Sequence, residues 1–502
     1  MINPPNYNTM NKLLKWPIVI CLILLTACSS DDKPQDPDNG NDPDTENPDT
    51  ENPESKIKTV LKASRISGPA PLAVQFSTLG TSHENNELDT FRELGYHFTF
   101  GDPASGVWKF SNKSKNSQIG GPIASHVFES SGVYLVKVRA QDSDGNFSDA
   151  SIEISVTDPD NVYTAENTVI ISKTSNVSGA PNGALELTNQ SKWPQWESGK
   201  RYLLMSGQDF TSFGPINLKK VQDVQVGKNG TGSNPIVDEI NIERGRPSTT
   251  NWASRVVVSD LNSKAINIPN TSEDIYIIRG TNTSFYVGNT IEHYVKSGSA
   301  NESDSMRFPK NIFMYEATNT SPTTGFNSYV LSKGFSMMGT ELANPSQHNI
   351  RPKYTVNTFI GHNYFYNAGP THHNIKLHSD GVILNEDETL AKNGLEGASR
   401  WIVVANNTFG DGTVQKNPWS VTFDPQNSSS AEGVHDVIVE NNIFKSDFLV
   451  ETILGGRNLT ERGNSSSGEY KTVTGQNVNS LPETWDGPYY LDAQLILPDA
   501  PN

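Results

Sequence analysis

The chain is 502 residues long and carries a formal net charge of −17, from 56 acidic and 39 basic side chains. That balance excludes nucleic acid and an anionic membrane surface as main partners, because phosphate binding needs a surplus of lysine and arginine. Only two cysteines are present, so no disulfide framework carries the fold, which must rest on an apolar core and hydrogen-bond ladders.

Residues 10–33 read MNKLLKWPIVICLILLTACSSDDK. Met10 reads as the start, Lys12 and Lys15 as a basic n-region, and Trp16 to Leu25 as an apolar h-region. That apolar run is shorter than the roughly 20 residues a membrane-spanning helix needs. It ends in Leu25-Thr26-Ala27-Cys28, which resembles the bacterial lipobox. The resemblance implies a signal peptide over 1–27, cleavage before Cys28, and a lipid anchor on the Cys28 thiol that ties the chain to a membrane. Ser29-Ser30-Asp31-Asp32-Lys33 resembles the export signal of Bacteroidota-type surface lipoproteins, and implies an outer-membrane lipoprotein exposed at the cell surface. Loss of Cys21 with the signal would leave the acylated Cys28 as the single cysteine.

Residues 28–56 follow as an acidic stalk. Asp31 to Glu54 hold ten acidic residues and one lysine, with a Pro-Asp-Thr-Glu-Asn pentad at Pro43 and again at Pro48. Such a segment repels itself and has little to bury, so it is expected to be extended and disordered.

Residues 57–158 alternate apolar and polar positions in Ala73-Val74-Gln75-Phe76, Tyr96-His97-Phe98-Thr99-Phe100 and Val133-Tyr134-Leu135-Val136-Lys137-Val138. Turn-rich stretches separate these runs, the pattern of an antiparallel β-sandwich. Gly68-Pro69-Ala70-Pro71-Leu72, Phe100-Gly101-Asp102, His126-Val127-Phe128, Gly132-Val133-Tyr134 and Gln141-Asp142-Ser143-Asp144-Gly145, in this order, resemble the PKD domain. Phe98 stands where that family has tryptophan, and Pro103 where it has glycine. The resemblance implies an immunoglobulin-like fold with a spacer or weak glycan-binding role.

From 160 to 495 short β-rich runs recur, each closed by Asn and Gly: Arg255–Ser259, Asp274–Arg279, Asn311–Tyr315, Arg400–Ala405 and His435–Glu440. Helical periodicity is confined to Glu386–Glu396. A word recurs in Val356-Asn357-Thr358-Phe359, His362-Asn363-Tyr364-Phe365, Asn406-Asn407-Thr408-Phe409 and Asn441-Asn442-Ile443-Phe444. Irregular recurrence at this scale is a solenoid signature. In a parallel β-helix the Asn would tolerate a left-handed turn and stack on an Asn one coil away, with the Phe stacked inside. Gly207-Gln208-Asp209-Phe210, then Gly227-Lys228-Asn229-Gly230-Thr231-Gly232-Ser233-Asn234-Pro235-Ile236-Val237, resembles the first coils of the pectate-lyase-like right-handed parallel β-helix superfamily. The expected fold class is all-β, a sandwich followed by a right-handed parallel β-helix; a second sandwich or a propeller is the competing arrangement.

The densest polar cluster runs from Gly361 to Asp380, with His362, His372, His373, Lys376 and His378. On a strand from His373, Ile375 and Leu377 point inward and Asn374, Lys376 and His378 share the outer face. Such a row suits a polysaccharide chain, and equally suits a solvated face. The superfamily resemblance implies a polysaccharide lyase or glycoside hydrolase; a non-catalytic glycan-binding or adhesion protein is the rival. A lyase needs a base to remove the proton alpha to a uronate carboxylate and a cation to stabilise the resulting charge. The candidates are Lys376, His372, His373, His378 and Arg400, with Ca²⁺ on Asp380, Glu386 and Asp387 as an alternative source of positive charge. Tyr366, Trp401 and Trp419 are candidates for stacking on sugar rings. A hydrolase would need paired carboxylates, for which Asp380, Asp424 and Asp436 have no distinctive setting. His372 and His373 would face opposite ways on a strand, which argues against a shared transition metal.

Overall fold

The computed structural model describes residues 55–244, 251–290, 307–320, 325–370, 372–378, 399–410, 419–424, 434–445, 453–454, 456–466, 473–474 and 489–501, without the side chains of Trp419, Asp424, Ile453, Leu454, Val473 and Thr474. The chain divides into residues 1–53 and 54–502. The signal segment, Cys28 and nearly all of the stalk lie outside the described residues, as does the helix expected over Glu386–Glu396.

The sandwich forms as its alternation requires. Leu72–Ser77 and Ile123–Phe128 pair antiparallel and belong to a three-stranded sheet. The other sheet has five strands in the order Ser67–Pro69, Phe147–Thr157, Gly132–Gln141, Gly95–Thr99 and Ser117–Gly120. Phe76, Phe98, Phe100, Val136 and Val138 are buried in its core. The outer face of the smaller sheet is also covered, with Gln75 and Ser125 only 6% and 3% exposed.

What covers them is the second domain, a right-handed parallel β-helix running from Thr168 to Tyr490. Its rungs pair in three parallel rows. The first row includes Arg201–Met205, Ser254–Ser259, Glu273–Thr281, Arg400–Ala405 and Val434–Glu440. A short row follows, with Glu341–Ala343, Tyr364–Tyr366, Thr408–Phe409 and Ile443–Phe444. The third row holds Ile216–Leu218, Glu239–Ile242, Ala265–Ile268, Phe285–Val287, His373–His378 and Trp419–Asp424. Ser328–Met338 and Ile350–Gly361 bend, so each serves the third row first and the first row after.

Side chains stack through the interior as the repeated words require. Phe365, Phe409 and Phe444 stack with centroids 5.4 and 4.8 Å apart. Asn363 Nδ2 donates to Asn407 Oδ1 (2.9 Å), Asn407 to Asn442 (3.0 Å) and Asn442 to Asn464 (3.0 Å). The residue before each ladder asparagine (His362, Asn406, Asn441) takes a left-handed conformation, which asparagine adopts with little strain. Val356-Asn357-Thr358-Phe359 is a different feature. It lies inside Ile350–Gly361, and Phe359 points out into the sandwich. Asn357 shares its left-handed position with Asp223, Arg255, Asp274, Trp401 and Asp436, which stand at the same register near the start of first-row rungs.

The sandwich is docked along the first row and is not a tethered spacer, as the family resemblance had implied. One apolar core joins Phe98, Trp108 and Val127 of the sandwich to Tyr276, Phe313, Phe359 and Val403 of the β-helix. Trp108 stacks on His362 at 4.7 Å and 9°; the His362 ring also bonds Ser111 Oγ (2.8 Å) and Gln118 Oε1 (2.9 Å). Gln75 Nε2 donates to Ser336 Oγ at 3.0 Å. At the far end Glu440 and Arg462 form an ion pair of 2.9 Å with both side chains fully enclosed. Glu440 also accepts from the Gly121 amide at 2.6 Å, and Arg462 donates to the Arg92 carbonyl at 2.8 Å. A Cβ on Gly120 would overlap the Glu440 carboxylate, so the approach requires glycine. Glu440→Ala leaves the Arg462 charge buried and uncompensated, and is expected to lower stability by about 3–5 kcal/mol. Equilibrium urea unfolding measures this, and an unchanged midpoint would refute the interface as a stabilising element.

Candidate functional site

Docking covers the first row, and the second has rungs of only two or three residues. Among the described residues the third row takes no part in the core shared with the sandwich; the long connections 288–309 and 379–399 leave its strands, and Asn241 and Thr422 on its outward side are enclosed. Its inward positions, among them Ile216, Ile240, Phe285, Ile350, Ile375, Leu377 and Val421, are core. Its outward positions fall into one column by register: Asn217, Asn241, Asn267, Tyr286, Tyr329 and Arg351, then Lys376 beside Arg351, then Thr422. Neighbours in such a column stand about 4.8 Å apart. Asn241 Nδ2 donates to Asn217 Oδ1 (3.1 Å) and Asn267 Nδ2 to Asn241 Oδ1 (2.9 Å), and Tyr286 and Tyr329 lie 6.3 Å apart.

The cationic end is built on a histidine cluster. His348, from the preceding coil, stacks on His373 at 5.0 Å and meets His372 edge-on at 4.8 Å. Strand pairing begins at His373, so His372 escapes the alternation and both rings reach His348, contrary to the opposite-facing expectation. The His373 amide donates to His348 Nδ1 (3.0 Å), which leaves that nitrogen an acceptor; His373 Nδ1, 3.2 Å away, therefore carries its own proton. His372 Nδ1 donates to the Pro370 carbonyl at 2.7 Å, so its Nε2 is the ring nitrogen not engaged in that bond. Arg351 Nε donates to His378 Nε2 at 2.9 Å, fixing His378 as an acceptor there. Phe326 stacks against His348 (5.8 Å) and lies under the Arg351 guanidinium (5.4 Å).

Burial, and then the charge of the surrounding cations, favours the neutral form of His348, His373 and His378. His373 is pushed down to about 2, first by burial and then by Lys376, His372 and Arg351. His348 and His378 are pushed far below the ordinary histidine range, again by burial first and then by neighbours that include Lys376 and Arg351. Among the described residues, Lys376 and Arg351 act on all three rings, two cations side by side on a chain whose net charge is −17.

Of the residues expected from sequence, His372, His373, Lys376 and His378 come together. Lys376 and His372 are half-buried, whereas His373 and His378 are enclosed. Asn374 is also enclosed, because its Oδ1 accepts from Asn349 Nδ2 at 2.7 Å in a second asparagine ladder. Arg400 does not join them: it pairs with Val356 and His435 on the first row, and its guanidinium lies 4.8 Å above its own neighbour Trp401. Trp401 packs half-buried on the core shared with the sandwich. Tyr366 is on the second row, stacked on Tyr364 (4.8 Å) and donating to Glu341 Oε1 (3.2 Å); burial and then Glu341 raise its pKa. Trp419 opposes His373 in register. Asp380, Glu386 and Asp387 lie outside the described residues. Among the described residues no group of three His, Cys, Asp or Glu could hold a metal. Sequence reasoning missed His348, Arg351, Phe326 and Tyr329; their signal is the spacing Asn327, Asn349, Asn374, a ladder of 22 and 25 residues that sets the coil length here.

The fold thus defines a two-part all-β protein, a β-sandwich docked on a parallel β-helix. Residues 60–156 match the model of the PKD domain. No curated protein matches the chain in sequence. Among solved structures it is similar to a family 28 exopolygalacturonase of Yersinia enterocolitica (13% identity, 88% of this chain and 86% of that one, TM-score 0.40). A tailspike protein of E. coli bacteriophage HK620, solved with a pentasaccharide, is similar at 11% identity over 67% and 58% of the chains (TM-score 0.35). PfbA, a surface adhesin of Streptococcus pneumoniae, is similar at 10% identity over 58% and 83% (TM-score 0.33). At these values the likenesses say nothing of activity.

Proposed function

We propose that the third row binds an acidic polysaccharide and that the cationic end of its column cleaves it by β-elimination. The observation that supports this is the placing of Arg351 and Lys376 side by side in one outward column of an otherwise acidic chain, in line with the Asn and Tyr rungs of the same column. Arg351 and Lys376 would hold the carboxylate of a uronate residue and stabilise the charge that develops when its alpha proton leaves. His372, through Nε2, would take that proton; the electron pair it leaves forms a C=C bond as the C–O bond to the next sugar breaks, and the departing oxygen takes a proton back from His372 or from water. Enclosed and neutral, His373 and His378 act as positioning residues, His378 by holding Arg351. Ca²⁺ on Asp380, Glu386 and Asp387 belongs to the same proposal and is read by adding a chelator. With a lipid anchor on Cys28, the reaction would occur at the outer surface of the cell envelope.

The test is incubation of the full chain with polygalacturonate, alginate, hyaluronan and chondroitin sulfate, following the ultraviolet absorbance of the unsaturated product. The expected result is a rise with one of the four. Binding to one of them with neither unsaturated product nor new reducing ends would leave a glycan-binding surface protein and remove the enzyme reading. New reducing ends without absorbance would mean hydrolysis.

A further inference from the structure

The column on the third row changes character along its length. Lys376 and Arg351 stand at one end, and the next rungs bring Tyr329, then Tyr286, then Asn267. Both tyrosines are half-buried, with rings 6.3 Å apart and 42° between their planes. Phe326 braces this junction. Its ring meets Tyr329 at 5.4 Å and 56°, and lies 5.4 Å from the Arg351 guanidinium. One aromatic side chain thus fixes the first tyrosine and the first cation side by side.

Beyond the tyrosines the column is made of amides. Asn241 is enclosed between its neighbours, whereas Asn267 is half-buried and Asn217 is exposed. Among the described residues, the charges that flank this stretch are matched to one another, Arg244 to Glu239 (2.8 Å) and Lys264 to Asp238 (2.7 Å). The cations of the column itself stand at the Arg351 end. Neighbouring rungs are about 4.8 Å apart, close to the length of one sugar unit in an extended polymer. A chain with its uronate at Arg351 and Lys376 therefore lays the adjoining unit against Tyr329 and Tyr286. The face of an aromatic ring carries the negative part of its quadrupole, so it attracts the C–H face of a sugar and repels a carboxylate.

We infer that Tyr329 and Tyr286 select a polymer in which each uronate is joined to an uncharged sugar. This selectivity rests on the third row holding acidic polysaccharide, as proposed above, and narrows its substrate. A polymer made of uronates alone sets a carboxylate against the two rings, on rungs of the column that carry no cation. A copolymer presents the C–H face of its neutral unit there, and the Asn267 amide is placed to hydrogen-bond the unit beyond.

The experiment is affinity electrophoresis of the full chain through gels that hold one polymer each. Hyaluronan and unsulfated chondroitin alternate uronate with an uncharged N-acetylated sugar, whereas polygalacturonate and alginate are uronate throughout. The two copolymers are expected to bind at least tenfold more tightly than the two polyuronates. Tyr329→Ala and Tyr286→Ala should each weaken copolymer binding at least tenfold at an unchanged unfolding temperature, while Tyr329→Phe, which keeps the ring, should bind as the wild type does. Tyr329→Lys should shift the preference towards polygalacturonate, since it puts a cation where the second carboxylate lies. Equal or tighter binding of the polyuronates, or copolymer binding untouched by both alanine variants, overturns the inference. Product absorbance reports on cleavage separately: copolymer binding without product removes the lyase reading and supports the selectivity, whereas polyuronate preferred and cleaved does the reverse. No retardation in any gel overturns both.

Discussion

Lys376→Ala is expected to reduce turnover of an acidic polysaccharide by about a hundred- to a thousandfold, the usual cost of losing one charge-stabilising group. Lys376 and Arg351 stand one rung apart on the third row, a separation that lets both meet one carboxylate. Either alone would bind the substrate; the pair is needed when the negative charge on that carboxylate grows during proton removal. The loss should therefore fall on kcat more than on KM. Lys376 is half-buried on the outer face, so its truncation opens no cavity, and the unfolding temperature should not move. His378→Ala should cost less, because it releases Arg351 without removing its charge. Initial rates from product absorbance decide the matter, and a Lys376→Ala protein with wild-type rates would sink the assignment.

How far the sequence could carry this is clearest along the solenoid. Asn407, Asn442, Phe409 and Phe444 sit in a repeated word, and both predicted stacks are present. Ile375 and Leu377 are inward as their alternation demands. The same word misleads at Val356–Phe359, since a left-handed asparagine serves both ends of a first-row rung. The partners of the cluster were hidden for another reason. Ladder asparagines are separated by 22, 25, 35 and 44 residues, because connections of unequal length interrupt the coils. Without a fixed period, only the unrepeated spacing of Asn327, Asn349 and Asn374 puts His348 beside His373 and Arg351 beside Lys376. Docking was hidden too: the alternation of Ala73-Val74-Gln75-Phe76 does not show that the polar face is covered, and in the fold Ser336 meets both Gln75 and Ser125.

The enclosed histidines make stability strongly dependent on acid. His126, His348, His362, His373 and His378 all have pKa values pushed below the ordinary histidine range, with burial as the leading cause. An unfolded histidine takes up a proton near pH 6.5, whereas these stay neutral in the folded state until much lower pH. Between those limits the unfolded chain binds more protons, so stability is complete above about pH 6.5 and falls as the pH drops below it. Each such histidine can contribute up to about 1.4 kcal/mol per pH unit, so five acting at half strength would cost about 5 kcal/mol by pH 5. Glu243 and Asp274 oppose this, since burial raises their pKa values and the folded state gains protons there as the pH falls. Two carboxylates against five imidazoles leave the net sign negative. The same protonation would charge the ring of His378 that accepts from Arg351 and the His362 ring stacked on Trp108, loosening the site and the domain interface together. Unfolding temperatures across pH 8 to 5 should be level at first and then fall steeply, with both domains melting in one transition. A flat profile would mean that these rings are already charged or reach solvent. Two separate transitions would mean that the sandwich is not welded to the β-helix.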